Sequence, residues 1–318
     1  MQVSETILQQ GAALFGANAA ALHSLGGMDG AVYAYEQDGK GYVLKFVPVP
    51  EDQLPVVVEK WDFVNYLAEH GVRVSRPILS RAGQLVETVR DGKQAYAVFK
   101  SEKAAGKHVD GRSPAEFNAG LFHAWGRTMG KMHALTQGYT GGEHISDWRS
   151  EVRFMTQWCP DEAVREKWHA MEATLAALPQ PREAYGLIHN DLHPRNFLVD
   201  NGRITVIDFD VCNHHWFTTD IGIALFHAAW MGVGGDKDPN AFLPGFYARF
   251  MEGYTEENTL DSFWLRQLSR FVDYRRLLMF SVFSNEWHEP RRSWQQRTLD
   301  HWRRGILAAK PVADFAFE

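Results

Sequence analysis

LIHNDLHPRN, residues 187–196, follows one apolar run and precedes another, and its reading decides the rest of the chain. It places His189, Asp191 and His193 within five residues, adds Pro194 and ends on Asn196. Two chemistries use such a cluster. In the first, His189 and His193, four apart, share one helical face and bind zinc. The general-base glutamate of that motif would fall at Asn190, Pro194 disfavours the helix, and no cysteine pair is nearby. The second needs an aspartate facing an attacking hydroxyl and, a few residues on, an amide oxygen facing a metal at phosphates. The run from His189 to Asn196 fits the spacing H-x-D-L-x-x-x-N of a phosphoryl-transfer loop.

The next segment favours the second chemistry. FLVDNGRITVIDFD, residues 197–210, is two β runs around Asn201-Gly202, a type I′ hairpin signal. That turn sets Val199 opposite Ile204 and Asn196 opposite Ile207, so Asp208 returns beside Asn196. Successive strand residues point to opposite faces, so the strand must end or bend at Asp208 for both side chains to reach one metal. Asn196 and Asp208 are the expected magnesium ligands.

The bulk numbers narrow the class. The chain has 318 residues, 45% of them hydrophobic and 23% charged, as in a folded protein of two domains or one bilobal unit. A net charge of −6 gives no electrostatic footprint for nucleic acid, so no nucleic-acid partner is expected. Two cysteines, Cys159 and Cys212, frame no disulfide scaffold, which fits a reducing, cytoplasmic setting. MQVSETILQQ lacks the basic and apolar regions of a signal peptide. The longest apolar stretch, IGIALFHAAWMGVGG from Ile221, is short and carries His227, so it reads as a buried helix and no membrane partner is expected.

Residues 1–15 read as a short amphipathic helix. AVYAYE (31–36), GYVLKFVPV (41–49) and AYAVFK (95–100) read as strands, with turns at Asp38-Gly39 and Asp91-Gly92 and one helix over 56–71 that stops at Gly71. Within the second strand Val43, Lys45 and Val47 share a side, so the Lys45 ammonium needs an anionic partner. From residue 113 the texture is helical. Ser113-Pro114-Ala115-Glu116 has capping-box spacing ahead of Phe117, Leu121, Trp125 and Met132, and a further helix covers 161–178. Strands first and helices later predict an α+β chain: a small antiparallel N-lobe with one helix (1–100) and a larger, mainly helical C-lobe (101–318), linked near 100–111.

His189-x-Asp191-x-x-x-x-Asn196, then Ile207-Asp208-Phe209-Asp210, then Asp220-Ile221-Gly222, resembles the aminoglycoside phosphotransferase and choline kinase-like family of the bilobal protein-kinase-like fold. The resemblance covers roughly residues 20–230, and residues 208–226 are most similar to homoserine-kinase-like bacterial members. It implies an ATP-binding cleft, Mg2+ and transfer of the γ-phosphate to the hydroxyl of a small molecule oriented by Asp191. It implies that Lys45 meets the α- and β-phosphates and pairs with Glu59, with Asp62 as the fallback. Gly26 and Gly27 would belong to a phosphate-covering loop, and Phe99, Lys100 and Ser101 to the hinge that reads adenine. His189 and Asp220 would brace the catalytic loop, and His133 reads as a satisfied core histidine.

Asp210 replaces the glycine that protein kinases carry there and adds a carboxylate for metal or substrate. His214, His215 and Trp216 either line the acceptor site or pack the loop. In the C-terminal helices Asp273, Glu286 and Glu289 offer an amine site and the arginines a carboxylate site, which together favour an amino alcohol or a hydroxy amino acid such as homoserine. The alternatives are a Ser/Thr protein kinase, an aminoglycoside kinase and a nucleotide-binding pseudokinase without turnover.

Overall fold

Alternation in the Val- and Tyr-rich runs builds the first unit. A computed structural model of the protein describes residues 3–26, 31–232, 238–314, 316 and 317. The chain divides into two compact units, the first Met1–Lys107 with Tyr139–Ile145 and Leu198–Asp210, the second His108–Gly138, Ser146–Phe197 and Val211–Glu318. The first unit thus runs past residue 100 and takes in two later segments.

Helix α1 (Glu5–Leu14) opens the first unit, capped by Ser4. The strands are β1 (His23–Gly26), β2 (Ala31–Gln37), β3 (Lys40–Val49), β4 (Pro77–Ile78), β5 (Val86–Asp91) and β6 (Gln94–Glu102). They form one antiparallel sheet in the order β1-β2-β3-β6-β4, with β5 also paired to β6. Asp38 and Gly39 both take positive φ in the β2–β3 turn, as the Asp-Gly signal requires. Helix α2 (Leu54–Glu69) buries Phe63, Val64 and Leu67 and is followed by Gly71 at φ 79°.

The two later segments join this unit by specific contacts. Tyr139 packs on Phe63 and Tyr66 at ring separations of 5.1 and 5.0 Å. Strands β8 (Phe197–Asp200) and β9 (Arg203–Val206) form the hairpin, with Asn201 at φ 49° and Gly202 at φ 74° in its turn. Ser75 N donates to Val206 O at 2.9 Å, and Val199 N to Lys107 O at 2.9 Å, which ties the hairpin to the sheet unit.

The second unit holds α3 (Ala119–Thr136), α4 (Trp148–Trp158), α5 (Glu162–Ala176), α6 (Phe217–Gly232), α7 (Pro239–Thr255), α8 (Ser262–Leu265), α9 (Leu268–Glu286) and α10 (Ser293–Leu307). Between them β7 (Tyr185–Ile188) pairs antiparallel with β10 (Asn213–Trp216), Ile188 opposite Asn213. The capping expectation at Ser113 needs correction. The N-cap of α3 lies five residues later, where Asn118 accepts from Gly120 N and Leu121 N, while Glu116 accepts from Asp110 N instead. A second Asx-capped start thus outcompetes the Ser-x-x-Glu pattern. Helices α3 and α7 touch backbone to backbone: a Cβ on Gly126 would lie 1.8 Å from Phe250 O. Trp125, Trp168, Phe197, Phe217 and Phe250 are fully buried in this unit. Among the described residues no helix is long and apolar enough to cross a membrane.

Candidate active site

The loop at 189–196 leaves β7 and is anchored before it reaches its aspartate. Buried Asp220, in the first turn of α6, accepts from His189 N at 3.0 Å, from Asn190 N at 2.8 Å and faces His133 Nε2 at 3.3 Å. His133 Nδ1 lies 2.9 Å from the Tyr254 hydroxyl, and its ring stacks on Phe217, so this histidine is fully engaged in the core. His189 is itself buried, and its Nδ1 accepts from Asp191 N at 3.2 Å. Asn190 stands at φ 63°, a conformation asparagine tolerates. Its amide donates to Glu151 and, at 3.3 Å, to Val211 O, and the Tyr274 hydroxyl donates to the other Glu151 oxygen. Burial raises the Glu151 pKa above the usual carboxylate range.

This anchoring delivers Asp191 into a ring of donors. Asn196 Nδ2 donates to Asp191 Oδ2 at 2.7 Å and to Asp191 O at 2.9 Å, which leaves Asn196 Oδ1 as a hard oxygen for a metal. His193 Nε2 lies 3.4 Å from Oδ2, and Arg275 Nη2 donates to Oδ1. Burial alone would raise the Asp191 pKa, but the Arg275 charge, with His193, holds it well below the usual range. Asp191, His193 and His227 present ligand atoms within 4.8 Å of one another. Arg275 already donates to Asp191 and to His227 Nε2, and the two imidazoles stack face on at 4.3 Å. The cluster is therefore a hydrogen-bonded clamp. The zinc pairing of His189 with His193 does not assemble, because His189 is committed to the loop backbone.

In the first unit, Lys45 gathers the carboxylates that follow the hairpin. Strand β9 ends at Val206 and Asp208 takes φ 65°, the break expected at that position. Lys45 Nζ donates to Asp210 and lies 3.5 Å from Asp208 Oδ1. Burial would lower the Lys45 pKa, and Asp210 followed by Asp208 raise it instead. Lys60, from α2, donates to the Asp210 carbonyl.

Several expectations are corrected. Glu59 is not the partner of Lys45. It accepts from His144 N at 2.7 Å and pairs with His144 Nδ1 at 2.6 Å, while Asp208 and Asp210 take the lysine. The fallback Asp62 is near Glu59, with its pKa raised by burial and then by the Glu59 charge. Phe99, Lys100 and Ser101, expected at the adenine hinge, are strand residues. They lie in β6 with partners on both edges, Phe99 between Lys45 and Val86, Lys100 between Leu44 and Ile78, Ser101 between Val43 and Pro77. The Lys100 ammonium lies over the Tyr42 ring at 3.9 Å. Gly26 ends β1 at φ 90°, with nothing among the described residues within 4 Å of where a Cβ would stand, and Gly27 lies outside the described residues.

The acceptor residues do not assemble either. His215 is sealed in the core with its Nδ1 facing Thr219, and burial drives its pKa down to about 3. Asp273 accepts from Val312 N at 3.1 Å and pairs with Arg276 at 3.1 Å, and Glu286 stands at the far end of α9. Sequence reasoning missed Lys60, His144, Glu151, His227 and Tyr274, and assigned the arginines to an acceptor's carboxylate where Arg275 serves Asp191. The available signal was His227 inside the otherwise apolar α6, whereas Arg275 stands among other charged residues in α9.

An antiparallel sheet unit bearing Lys45, followed by a helical unit bearing a braced Asp-x-x-x-x-Asn loop, defines a phosphotransferase of the protein-kinase-like class. The chain belongs to the phosphotransferase enzyme family, whose model matches residues 20–263. This is the aminoglycoside phosphotransferase and choline kinase-like family that the motifs resembled. The amicoumacin kinase of Bacillus subtilis (strain 168) is 30% identical over 321 residues, which cover 98% of this chain and 95% of that protein. A solved amicoumacin kinase, in complex with AMP-PNP, Ca2+ and Ami, is 28% identical with a TM-score of 0.92, over 99% of this chain and 96% of that one. A microcompartment-associated aminopropanol kinase shares the fold at 22% identity and a TM-score of 0.70, over 96% of each chain. None of these relatives is a homoserine kinase by name, and the expectation of homoserine as acceptor gains no support from them.

Proposed function

We propose that this chain transfers the γ-phosphate of ATP to a hydroxyl of a small molecule, and that the acceptor is an antibiotic of the amicoumacin type. End-to-end likeness to amicoumacin kinases supports the acceptor. The observation that carries the chemistry is Asp191, held ionised by Arg275, His193 and Asn196.

Each residue has a separate task. The Lys45 ammonium neutralises the α- and β-phosphates of the nucleotide. Asp208, through its half-exposed carboxylate, and Asn196, through Oδ1, are oxygen donors of the kind Mg2+ takes. Asp210 is a further donor to metal or substrate. The bound metal would supply charge neutralisation on the phosphate oxygens. Asp191 accepts a hydrogen bond from the acceptor hydroxyl and aims it at phosphorus. A carboxylate held below its usual range is a weak base, so Asp191 orients the hydroxyl and takes its proton only as the new O–P bond forms and the bond from the γ-phosphorus to the bridging oxygen breaks, releasing ADP. Asp220 and His189 hold the loop that presents it. Gly26 is assigned to a loop over the phosphates.

The test is Mg2+-dependent transfer of labelled γ-phosphate to amicoumacin, aminopropanol, spectinomycin, homoserine and a generic protein, with Asp191→Asn as control. Transfer to amicoumacin that the substitution abolishes, with MgATP still bound, is the expected result. Nucleotide binding without transfer to any acceptor would replace the enzyme by a binding protein, and transfer to protein alone would make it a protein kinase.

A further inference from the structure

We propose that Arg275 and His227 are a positioning pair for the catalytic aspartate, in which Arg275 fixes Asp191 Oδ1 and His227 fixes Arg275. The proposal rests on the phosphotransfer reading of Asp191. Neither residue lies in the 187–196 loop or in the acidic segment 207–220.

Arg275, on α9, is 5% exposed, and a charge so placed needs partners in fixed directions. Its Nη2 donates to Asp191 Oδ1, and its Nε and Nη2 lie 3.1 and 2.9 Å from His227 Nε2. To accept there, His227, on α6, must be neutral with its proton on Nδ1. Burial, followed by the charges of His193 and Arg275, favours that neutral form. The planar guanidinium spans both partners, which the point charge of a lysine does not reproduce. On the other side of the carboxylate, Asn196 Nδ2 stands 2.7 Å and His193 Nε2 3.4 Å from Oδ2, and the His193 ring stacks on His227. Both oxygens are thus gripped, by Arg275 of α9 and by the loop itself, with His227 of α6 behind the arginine. The grip selects one rotamer and leaves one Oδ1 lone pair for the acceptor hydroxyl. In a reaction limited by alignment, a displacement of about 1 Å costs on the order of 100-fold in rate.

The experiment measures kcat and KM for MgATP with amicoumacin in Arg275→Lys, Arg275→Met, Arg275→Ala, His227→Gln and His227→Leu. Arg275→Met is expected to lose about 100-fold in kcat with KM for ATP within about threefold. Added guanidinium restores Arg275→Ala, and His227→Gln, which keeps an acceptor oxygen, loses less than His227→Leu. Arg275→Met with kcat within threefold of wild type, or Arg275→Ala unmoved by guanidinium, would overturn the proposal. If Arg275→Met does not fold, Arg275→Lys and the two His227 variants carry the same comparison. A readout independent of turnover is the side-chain Nε–H signal of Arg275 in 15N-arginine spectra, assigned by its loss in Arg275→Lys. It should move in both Asp191→Asn and His227→Leu. If wild type phosphorylates nothing and that signal still moves, the functional reading fails while the pair stands. A signal indifferent to both substitutions removes the pair.

Discussion

Asp220→Asn isolates the device that holds the catalytic loop. The carboxylate is fully buried, with Asn190 N donating to Oδ1 at 2.8 Å and His189 N to Oδ2 at 3.0 Å. An amide of the same shape keeps one acceptor oxygen and sets an NH2 against the other backbone N–H. Turning the amide over only exchanges which N–H is opposed. His133, 3.3 Å away, can adapt by moving its proton, but a backbone amide cannot. The loss is one hydrogen bond to a charged group, about 1.5–3 kcal/mol, and an unsatisfied buried donor, about 1–3 kcal/mol. These overlap, so a destabilisation of about 3 kcal/mol is expected, which for a chain of 318 residues corresponds to a Tm roughly 4–5 °C lower. The two affected amides belong to the residues just before Asp191, so loop displacement should also lower kcat by up to about 100-fold. Scanning calorimetry and initial rates on the same preparation provide the assay. A Tm within 1 °C of wild type refutes the hydrogen-bond accounting. A lowered Tm with unchanged kcat leaves Asp220 as a fold anchor that does not position Asp191.

The Glu59 correction gives a second expectation: Glu59→Gln should leave the KM for MgATP within about threefold, whereas Asp210→Asn or Lys45→Met should raise it at least tenfold; initial-rate kinetics compare them, and equal effects would restore Glu59 as the partner of Lys45. The Glu59–His144 pair predicts a pH optimum for the 139–145 segment. The Glu59 pKa is lowered in the folded state, against burial, by its hydrogen bonds to His144, so its contribution is lost as pH falls below the ordinary carboxylate range. The His144 pKa is raised by Glu59, so that contribution is complete below its unfolded value and lost as pH rises through the folded one, above 6.5. Amide protection of this segment, relative to the intrinsic exchange rate at each pH, should be greatest between about pH 5 and 6.5, and His144→Ala should remove the alkaline loss. Finally, Gly126→Ala should destabilise the second unit by about 1–3 kcal/mol despite the better helix propensity of alanine, because its Cβ would meet Phe250 O at 1.8 Å. Urea unfolding with an unchanged midpoint would show that α3 and α7 can separate freely.

The sequence by itself determined the local and the contiguous. The turns at Asp38-Gly39 and Asn201-Gly202 are stated by residues that tolerate positive φ, so both hairpins were legible. The strands 31–36, 41–49 and 95–100 followed from alternation, and the loop 189–196 from spacing that one short segment must satisfy alone. The start of α3 is not legible because two caps of similar strength stand five residues apart, and Asn118 is the one whose side chain accepts from the first helix amides. Tertiary structure alone decided the partners of charge. Glu59 and Lys45 carry no mark of whom they meet, and a carboxylate goes to whichever donor the fold brings within reach: His144 for Glu59, Asp210 and Asp208 for the lysine. Arg275 is 84 residues from Asp191, and an ion pair over that separation leaves no periodicity in the sequence. Hydrophobic pattern and turn chemistry are repeated locally and can be read. An electrostatic pair is a single coincidence of two positions, fixed only when α9 packs beside the loop.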